Sequence, residues 1–256
     1  MKLSANNSFL TFPALPQGKV TCGIIAGNCP EKITDALKKY GIELIKTSAD
    51  ENLDEPVKYH PDMLFYPSTK GEIIIAPSQY EQKLILEKMG VKAEFSNELK
   101  RKYPHDIALN FLSLGGYVFG RTDFADPLVL KNAAEQKAEL VKVNQGYARC
   151  SVLVAGEKAV ITEDESLFRA LSEKEIDVLK LERGYVTLEG YDCGFIGGAG
   201  GKISKDTVVF FGDCSLHPQW NEIEAFLSKH HCKSVFLSDE PLSDYGGFVP
   251  LLCSNI

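Results

Sequence analysis

The sequence predicts an α/β fold: a five-bladed, pseudo-symmetric α/β propeller built from five ββαβ repeats and spanning residues 1–256 as a single domain. Three observations carry that expectation. Five amphipathic segments are each followed at once by a short strand-like run, and each is also preceded by a β-rich one. Four of these units have a further strand upstream, and the residues that enter it, Asp62, Asp106, Cys150 and Cys193, are separated by 44, 44 and 43 positions. A parallel sheet with crossover helices would need only alternating strands and helices. The extra hairpin in each unit therefore argues for blades around an axis.

In the first unit a β-rich run over residues 19–26 leads to a helix over 30–40, with Pro30 in its first turn and Ile33, Leu37 and Tyr40 spaced along one face. A strand over 42–47 follows. The upstream strand of this unit has two candidates, residues 9–12 and residues 248–252. Pairing of the C-terminal candidate would close the ring and cover an open edge. The second unit reads as strands over 63–66 and 72–76, a helix over 80–89 with Leu84, Leu86 and Met89 as its apolar positions, and a strand over 91–95. The third reads as strands over 107–114 and 117–121, a helix over 127–138 opened by Pro127, and a strand over 138–143. The fourth places strands over 151–154 and 158–162, a helix over 165–175 and a strand over 176–181. The fifth places strands over 193–197 and 207–211, a helix over 220–231 carrying Ile223, Phe226 and Leu227, and a strand over 233–238.

Composition bounds the partners. Lys plus Arg is 28 against 35 Asp plus Glu, a net charge of −7, which disfavours nucleic acid and anionic membrane surfaces. With 44% hydrophobic and 25% charged residues the chain has enough apolar material for a sizeable core, and disorder is excluded. No stretch approaches the ~20 apolar residues of a membrane span. The first eight residues lack the apolar run of a secretory signal, so the expected address is the cytoplasm. Seven cysteines, an odd number with no Cys-x-x-Cys pair, argue for free thiols over disulfides or structural zinc. Composition does not fix the oligomeric state.

Around the second unit, His60-Pro61-Asp62-Met63-Leu64-Phe65-Tyr66 is followed by Gly71 and Glu72-Ile73-Ile74-Ile75-Ala76-Pro77. Together with five ββαβ units of ~44 residues, this resembles the pentein, or guanidine-modifying-enzyme, superfamily. That superfamily includes arginine and agmatine deiminases, dimethylarginine hydrolases, amidinotransferases and a ribosome anti-association factor. The Gly-Phe-Ile-Gly-Gly and Phe-Phe-Gly-Asp stretches suggest a bacterial branch of it. The resemblance implies a His-x-Asp segment whose His is the general acid/base and whose Asp binds the guanidinium. It also implies a covalent thiol intermediate that requires no metal or organic cofactor.

Such chemistry needs a thiolate, a proton-shuttling His and carboxylates for a cation. If the first strand of every blade enters from the same central channel, His60, Asp62, Asp106 and Cys150 converge as one base, two acids and one nucleophile. Asn110 is a candidate uncharged contact in that channel, and Arg149 beside Cys150 could favour its thiolate. The resemblance is imperfect at the C-terminus. The known hydrolases carry their nucleophile there after a Gly-rich segment, whereas Gly246-Gly247-Phe248-Val249-Pro250 has Pro250 three residues after the Gly pair. The nucleophile is then Cys150, or Cys253 reached by a local bulge, or absent.

Gly194-Phe195-Ile196-Gly197-Gly198-Ala199-Gly200-Gly201-Lys202 lacks the Ser or Thr and the helix of a phosphate loop. Gly197 and Gly198 instead suit a place where blades crowd or a ligand approaches backbone. Asp213 and His217 form a secondary substrate-binding candidate, while Ser78, Asp123, Asp126 and Asp164 in equivalent loops read as helix caps. Two functions follow as expectations. One is a cysteine-dependent hydrolase or transferase of a small cationic guanidino or amidine compound. The other is an inactive relative that binds such a ligand or a protein partner.

Overall fold

A computed structural model of the protein describes residues 7–68 and 71–255; residues 1–6, read above as lacking a secretory signal, lie outside the described residues. The elements fall into five small sheets. The first blade holds β1 (Asn7–Phe9), β2 (Val20–Ile25), α1 (Glu31–Lys39) and β3 (Glu43–Lys46). The second holds α2 (Pro61–Leu64), β4 (Phe65–Pro67), β5 (Glu72–Ile75), α3 (Tyr80–Lys88) and β6 (Lys92–Phe95). The third holds β7 (Leu112–Leu114), β8 (Tyr117–Gly120), α4 (Pro127–Glu135) and β9 (Glu139–Lys142). The fourth holds β10 (Val152–Gly156), β11 (Ala159–Thr162), α5 (Glu165–Glu173) and β12 (Asp177–Lys180). The fifth holds β13 (Gly200–Ser204), β14 (Thr207–Phe210), α6 (Trp220–Lys229) and β15 (Lys233–Phe236), and β16 (Val249–Ser254) ends the chain.

Every blade repeats one pattern. The first strand pairs antiparallel with the second, and the second pairs parallel with the third through the crossover helix. Ring closure works as the C-terminal candidate requires. β16 runs antiparallel to β2, with Val249 opposite Ile24, and supplies the first strand of the first blade. The N-terminal candidate joins as well, because β1 pairs with β16 on the side away from β2, in the order β1-β16-β2-β3. The central strands are rich in β-branched residues and nearly fully buried: Ile73, Ile74 and Ile75 on β5, Val160 and Ile161 on β11, Val208 and Val209 on β14. Each helix buries one face, such as Ile33 and Leu37 on α1 or Ile223, Phe226 and Leu227 on α6. In α3 the inner positions are Gln82 and Leu86, with Leu84 turned outward at 40% exposure.

The crossover helices end alike. Gly41, Gly90, Lys137, Glu175 and His231, each just past a helix, all have positive φ and turn the chain into the third strand. Three of these are not Gly and carry the Cβ penalty of the left-handed region. Glu175→Gly is accordingly expected to stabilise the fold, by no more than about 1 kcal/mol once glycine's larger unfolded-state entropy is subtracted; chemical denaturation of the two proteins checks this.

The first strands differ most from expectation. Pro61–Leu64 forms a helical turn before β4, and blade five begins its first strand at Gly200, after a 3₁₀ turn over Ile196–Gly198. Cys193 therefore does not belong to the repeat series that contains Asp62 and Cys150; its sulfur accepts from Arg183 Nε at 3.0 Å. The helix caps are also fewer than expected. Asp126 and Asp164 accept from Leu128 N and Leu167 N, whereas Ser78 donates to Asp50 and Asp123 pairs with Arg121. No helix among the described residues is long and apolar enough to cross a membrane.

Candidate active site

Four chain segments meet where the blades converge. His60 stands at the N-terminus of α2 in extended geometry, with Pro61 fixing the first helical position, so Asp62 follows within the first turn. The segment is pinned from across the ring, because Asp62 N donates to Gly246 O at 3.3 Å. Gly246 has φ +75° and lies so close that a Cβ would come within 2.6 Å of His60 Cα. Ahead of that turn, Asp244 is held by two backbone donors, Phe195 N to Oδ2 and Gly246 N to Oδ1, both at 2.9 Å. His60 Nδ1 then lies 3.7 Å from Asp244 Oδ1 and 4.0 Å from Asp62 Oδ1. All three residues are buried.

Asn110 ties the remaining pieces together. Its amide donates to Asp62 O at 3.0 Å and to Cys150 Sγ at 2.9 Å, and its Oδ1 accepts from Arg149 N at 2.8 Å. The amide is fully buried and its bonding capacity is used, so it acts as a brace rather than as an open ligand contact. Asn110→Ala is expected to destabilise the protein by roughly 2–4 kcal/mol, since backbone groups at Asp62 and Arg149 lose their partner inside the core; a urea melt measures it.

The electrostatics are dominated by buried carboxylates. Neither oxygen of Asp62 meets an N–H or O–H donor among the described residues, although the weak S–H donor of Cys150 is near enough to interact. Burial pushes the Cys150 thiol well above its ordinary value; the charges of Asp62 and Asp244 push the same way, and the Asn110 amide opposes them. This reverses the expectation for Arg149, whose guanidinium is directed at Val152 O, 3.1 Å away. Burial also raises the Asp244 carboxyl, with His60 opposing and Asp62 reinforcing the shift.

The other candidates sit apart. Asp106 is buried, its Oδ2 accepting from Tyr147 OH at 2.7 Å and its Oδ1 unpartnered among the described residues. Burial raises its carboxyl, and among the described residues no hydrogen bond or ion pair joins Asp106 to His60, Asp62, Asp244 or Cys150; its charge acts on Tyr147, as does that of Cys150. Cys253 lies near the far end of β16 opposite Val20 and Ser8, about 13 Å along the strand from its first residue, Val249, at ~3.3 Å per residue. Asp213 caps the turn at Ser215, and His217 accepts from Gln219 N and packs on Tyr185, far along the outer loop of blade five. Gly197 and Gly198 do border the site, as clearance rather than as contacts. A Cβ on Gly197 would stand 2.4 Å from Cys150 O, and one on Gly198 would stand 1.8 Å from Asp244 Oδ1. Gly198→Ala must swing Asp244 off its two backbone donors, and is expected to destabilise by about 2–4 kcal/mol and to abolish ligand binding in a calorimetric titration.

Two residues escaped the sequence reading. Asp244 precedes the Gly pair that enters β16, so assigning the C-terminal strand to the first blade already placed it at a channel entry. Glu163, just after β11, accepts from Ile196 N at 3.0 Å, and burial pushes its carboxyl up to about 8. A carboxyl whose folded value lies above its unfolded one binds its proton more tightly in the folded state. It therefore costs stability as pH rises from about 4.5 to about 8. The melting temperature should fall across that interval, and Glu163→Gln should flatten the decline in thermal scans at pH 5, 6, 7 and 8.

A cleft of about 850 Å³ opens over this cluster, and His60 and Asp244 form part of its wall together with Asn28, Thr187 and Tyr191. Asp62 and Cys150 are not among its lining residues. Among the described residues no group of three or more His, Cys, Asp or Glu side chains is arranged to hold a metal ion.

The fold is that of the penteins. An amidinotransferase of the saxitoxin biosynthetic pathway from Microseira wollei matches with a TM-score of 0.53 at 11% identity, covering 91% of each chain. The inosamine-phosphate amidinotransferase of Streptomyces griseus matches with a TM-score of 0.52 at 13% identity, over 96% of this chain and 94% of that one. DDAH from Pseudomonas aeruginosa, solved with citrulline, matches with a TM-score of 0.50 at 10% identity, over 86% and 92%. No curated protein matches the sequence. The chain belongs to the family of unknown function DUF6873, whose model matches residues 24–249.

Proposed function

We propose that the protein, as a single ring over its whole length, is a cysteine-dependent hydrolase or transferase of a small guanidino or amidine compound. The observation that carries this reading is Asp62, a buried carboxylate without an N–H or O–H donor, beside a thiol, an imidazole and a second buried carboxylate. A buried carboxylate whose oxygens accept no N–H or O–H is costly even with the Arg149 guanidinium acting on it through its charge, and a planar cation that donates N–H groups to it offsets that cost. The guanidinium would sit between Asp62 and Asp244 with its carbon against Cys150 Sγ. Its positive charge opposes the two carboxylates that raise the thiol, so with the ligand present the thiol passes its proton to the His60 imidazole and the thiolate forms. Sγ then bonds to the amidine carbon, and the departing amine takes a proton from His60. Water attacks the thiouronium carbon and gives a proton to the imidazole, the C–S bond breaks with its electron pair going to sulfur, and the imidazolium returns that proton to regenerate the thiol. In a transferase an acceptor amine takes the place of water.

Support comes from this geometry and from the proteins of similar fold, two amidinotransferases and a DDAH solved with citrulline. A panel of guanidino compounds assayed for ammonia, urea or amine release tests the proposal; turnover lost in Cys150→Ser supports it. A second reading, a pentein that binds a cation without reacting, is favoured by one feature, the thiol held protonated in the free protein. Binding without turnover across the panel would select it.

A further inference from the structure

Blade five buries a lysine for which the chemistry at Cys150 has no use. Lys202 sits on β13 and is 3% exposed, and among the described residues no carboxylate lies within ion-pair distance of its Nζ. The amine instead donates to Ala155 O at 2.6 Å and to Cys232 Sγ at 3.1 Å. Cys232 stands between α6 and β15, and its thiol donates to the same carbonyl at 3.1 Å. Ala155 is the extra residue of a bulge in β10, where Val154 pairs with Val160 and Gly156 with Ala159, so its carbonyl is free to accept both. Amine, thiol and carbonyl form a closed triangle between blades four and five.

A buried lysine amine with no carboxylate beside it is costly, and sulfur is a weak acceptor for its N–H groups. The contact places a nucleophile directly against an oxidisable sulfur. We propose that Lys202 and Cys232 form a modification site at which hydrogen peroxide converts the pair into a covalent sulfenamide, an S–N bond between Sγ and Nζ. The peroxide O–O bond breaks as one oxygen bonds to Sγ, giving a sulfenic acid and one water. Nζ, after giving its extra proton to solvent, attacks Sγ with its lone pair. The S–O bond breaks, and the hydroxide that leaves takes a proton from the nitrogen as a second water. Sulfur has then passed two electrons to the peroxide, and the amine and thiol together have lost two hydrogens. The approach from 3.1 Å is short, and the flexible four-carbon stem of Lys202 accommodates it. Cys232 keeps 7% exposure, which makes it the most open of the six buried cysteines to a small oxidant.

The test is peptide mass mapping of the wild-type protein after treatment with hydrogen peroxide, denaturation and alkylation. A peptide pair joining Lys202 to Cys232 should appear, two hydrogens lighter than the sum of its parts and uncut by trypsin after Lys202, and dithiothreitol should release it. Lys202→Arg keeps a donor for Ala155 O but not a nucleophilic amine. In that variant the link should be lost, and dimedone should trap sulfenic acid at Cys232 severalfold more than in wild type. The wild-type result decides whether or not the variant folds. Cys232 recovered as sulfinic or sulfonic acid without the link overturns the proposal, and so does Cys232 still free to alkylate under conditions that oxidise the partly exposed Cys193.

Discussion

Cys150→Ser is expected to lower turnover of a guanidino substrate by at least about 10³-fold, because an alcohol at this position is neither ionised nor a comparable nucleophile. Ligand affinity should change little. Ser occupies the same volume, Oγ can accept the Asn110 N–H that Sγ accepts at 2.9 Å, and Asp62 and Asp244 keep their charges. The combination separates a nucleophile from a structural thiol, whose replacement would disturb binding and stability together. Product release and calorimetric affinity, measured on the same preparation, give both numbers. Residual turnover within tenfold of wild type would mean that Cys150 takes no covalent part.

The second large effect belongs to Asp62→Asn, a near-isosteric change that removes one negative charge. Loss of a desolvated partner to a bound cation is expected to weaken guanidinium binding by about 10²-fold or more, equivalent to roughly 3 kcal/mol. The same change should act in the opposite sense on the thiol. Asp62 is among the groups that raise Cys150, so alkylation of Cys150 by iodoacetamide in the free protein should become faster at pH 8. A variant that had merely misfolded would bind nothing and would expose every cysteine. Peptide-resolved alkylation distinguishes acceleration at Cys150 from general exposure, because Cys22, Cys29, Cys214, Cys232 and Cys253 are also buried.

The repeat was legible because each blade writes its period into the sequence. Helix faces such as Ile33 and Leu37, the isoleucines of β5, and the turn residue after each helix recur in order, and second strands, helices and third strands lie within a few residues of expectation. The inner strands were not, because near the axis side chains are chosen for clearance and chemistry rather than for strand pairing. Pro61 starts a helical turn where a strand was expected, and Gly197 and Gly198 leave room for Cys150 O and Asp244. His60, Asp62 and Cys150 come together as the repeat positions of Asp62 and Cys150 lead one to expect, and Asn110, expected as a channel contact, bridges Asp62 and Cys150. Asp106 was drawn into the same set by spacing alone, but its carboxylate is engaged by Tyr147, a contact that depends on where the ring places a loop 41 residues downstream. Asp244 was missed although the expected pairing of the chain end placed it at a channel entry, because its role rests on contacts with Phe195, Gly246 and His60 that the repeat spacing does not mark. The sign of the thiol shift was also illegible. It follows from burial and two carboxylates brought in from other blades, not from the adjacent Arg149.

Peptide mass mapping of acid-quenched turnover mixtures tests the central claim most directly, because the covalent intermediate is specific to the proposed chemistry. With a guanidino substrate, a mass increase equal to the transferred amidino fragment should appear on the peptide containing Cys150 and disappear in Cys150→Ser. Product formation with no adduct on Cys150, undiminished in Cys150→Ser, would contradict the account.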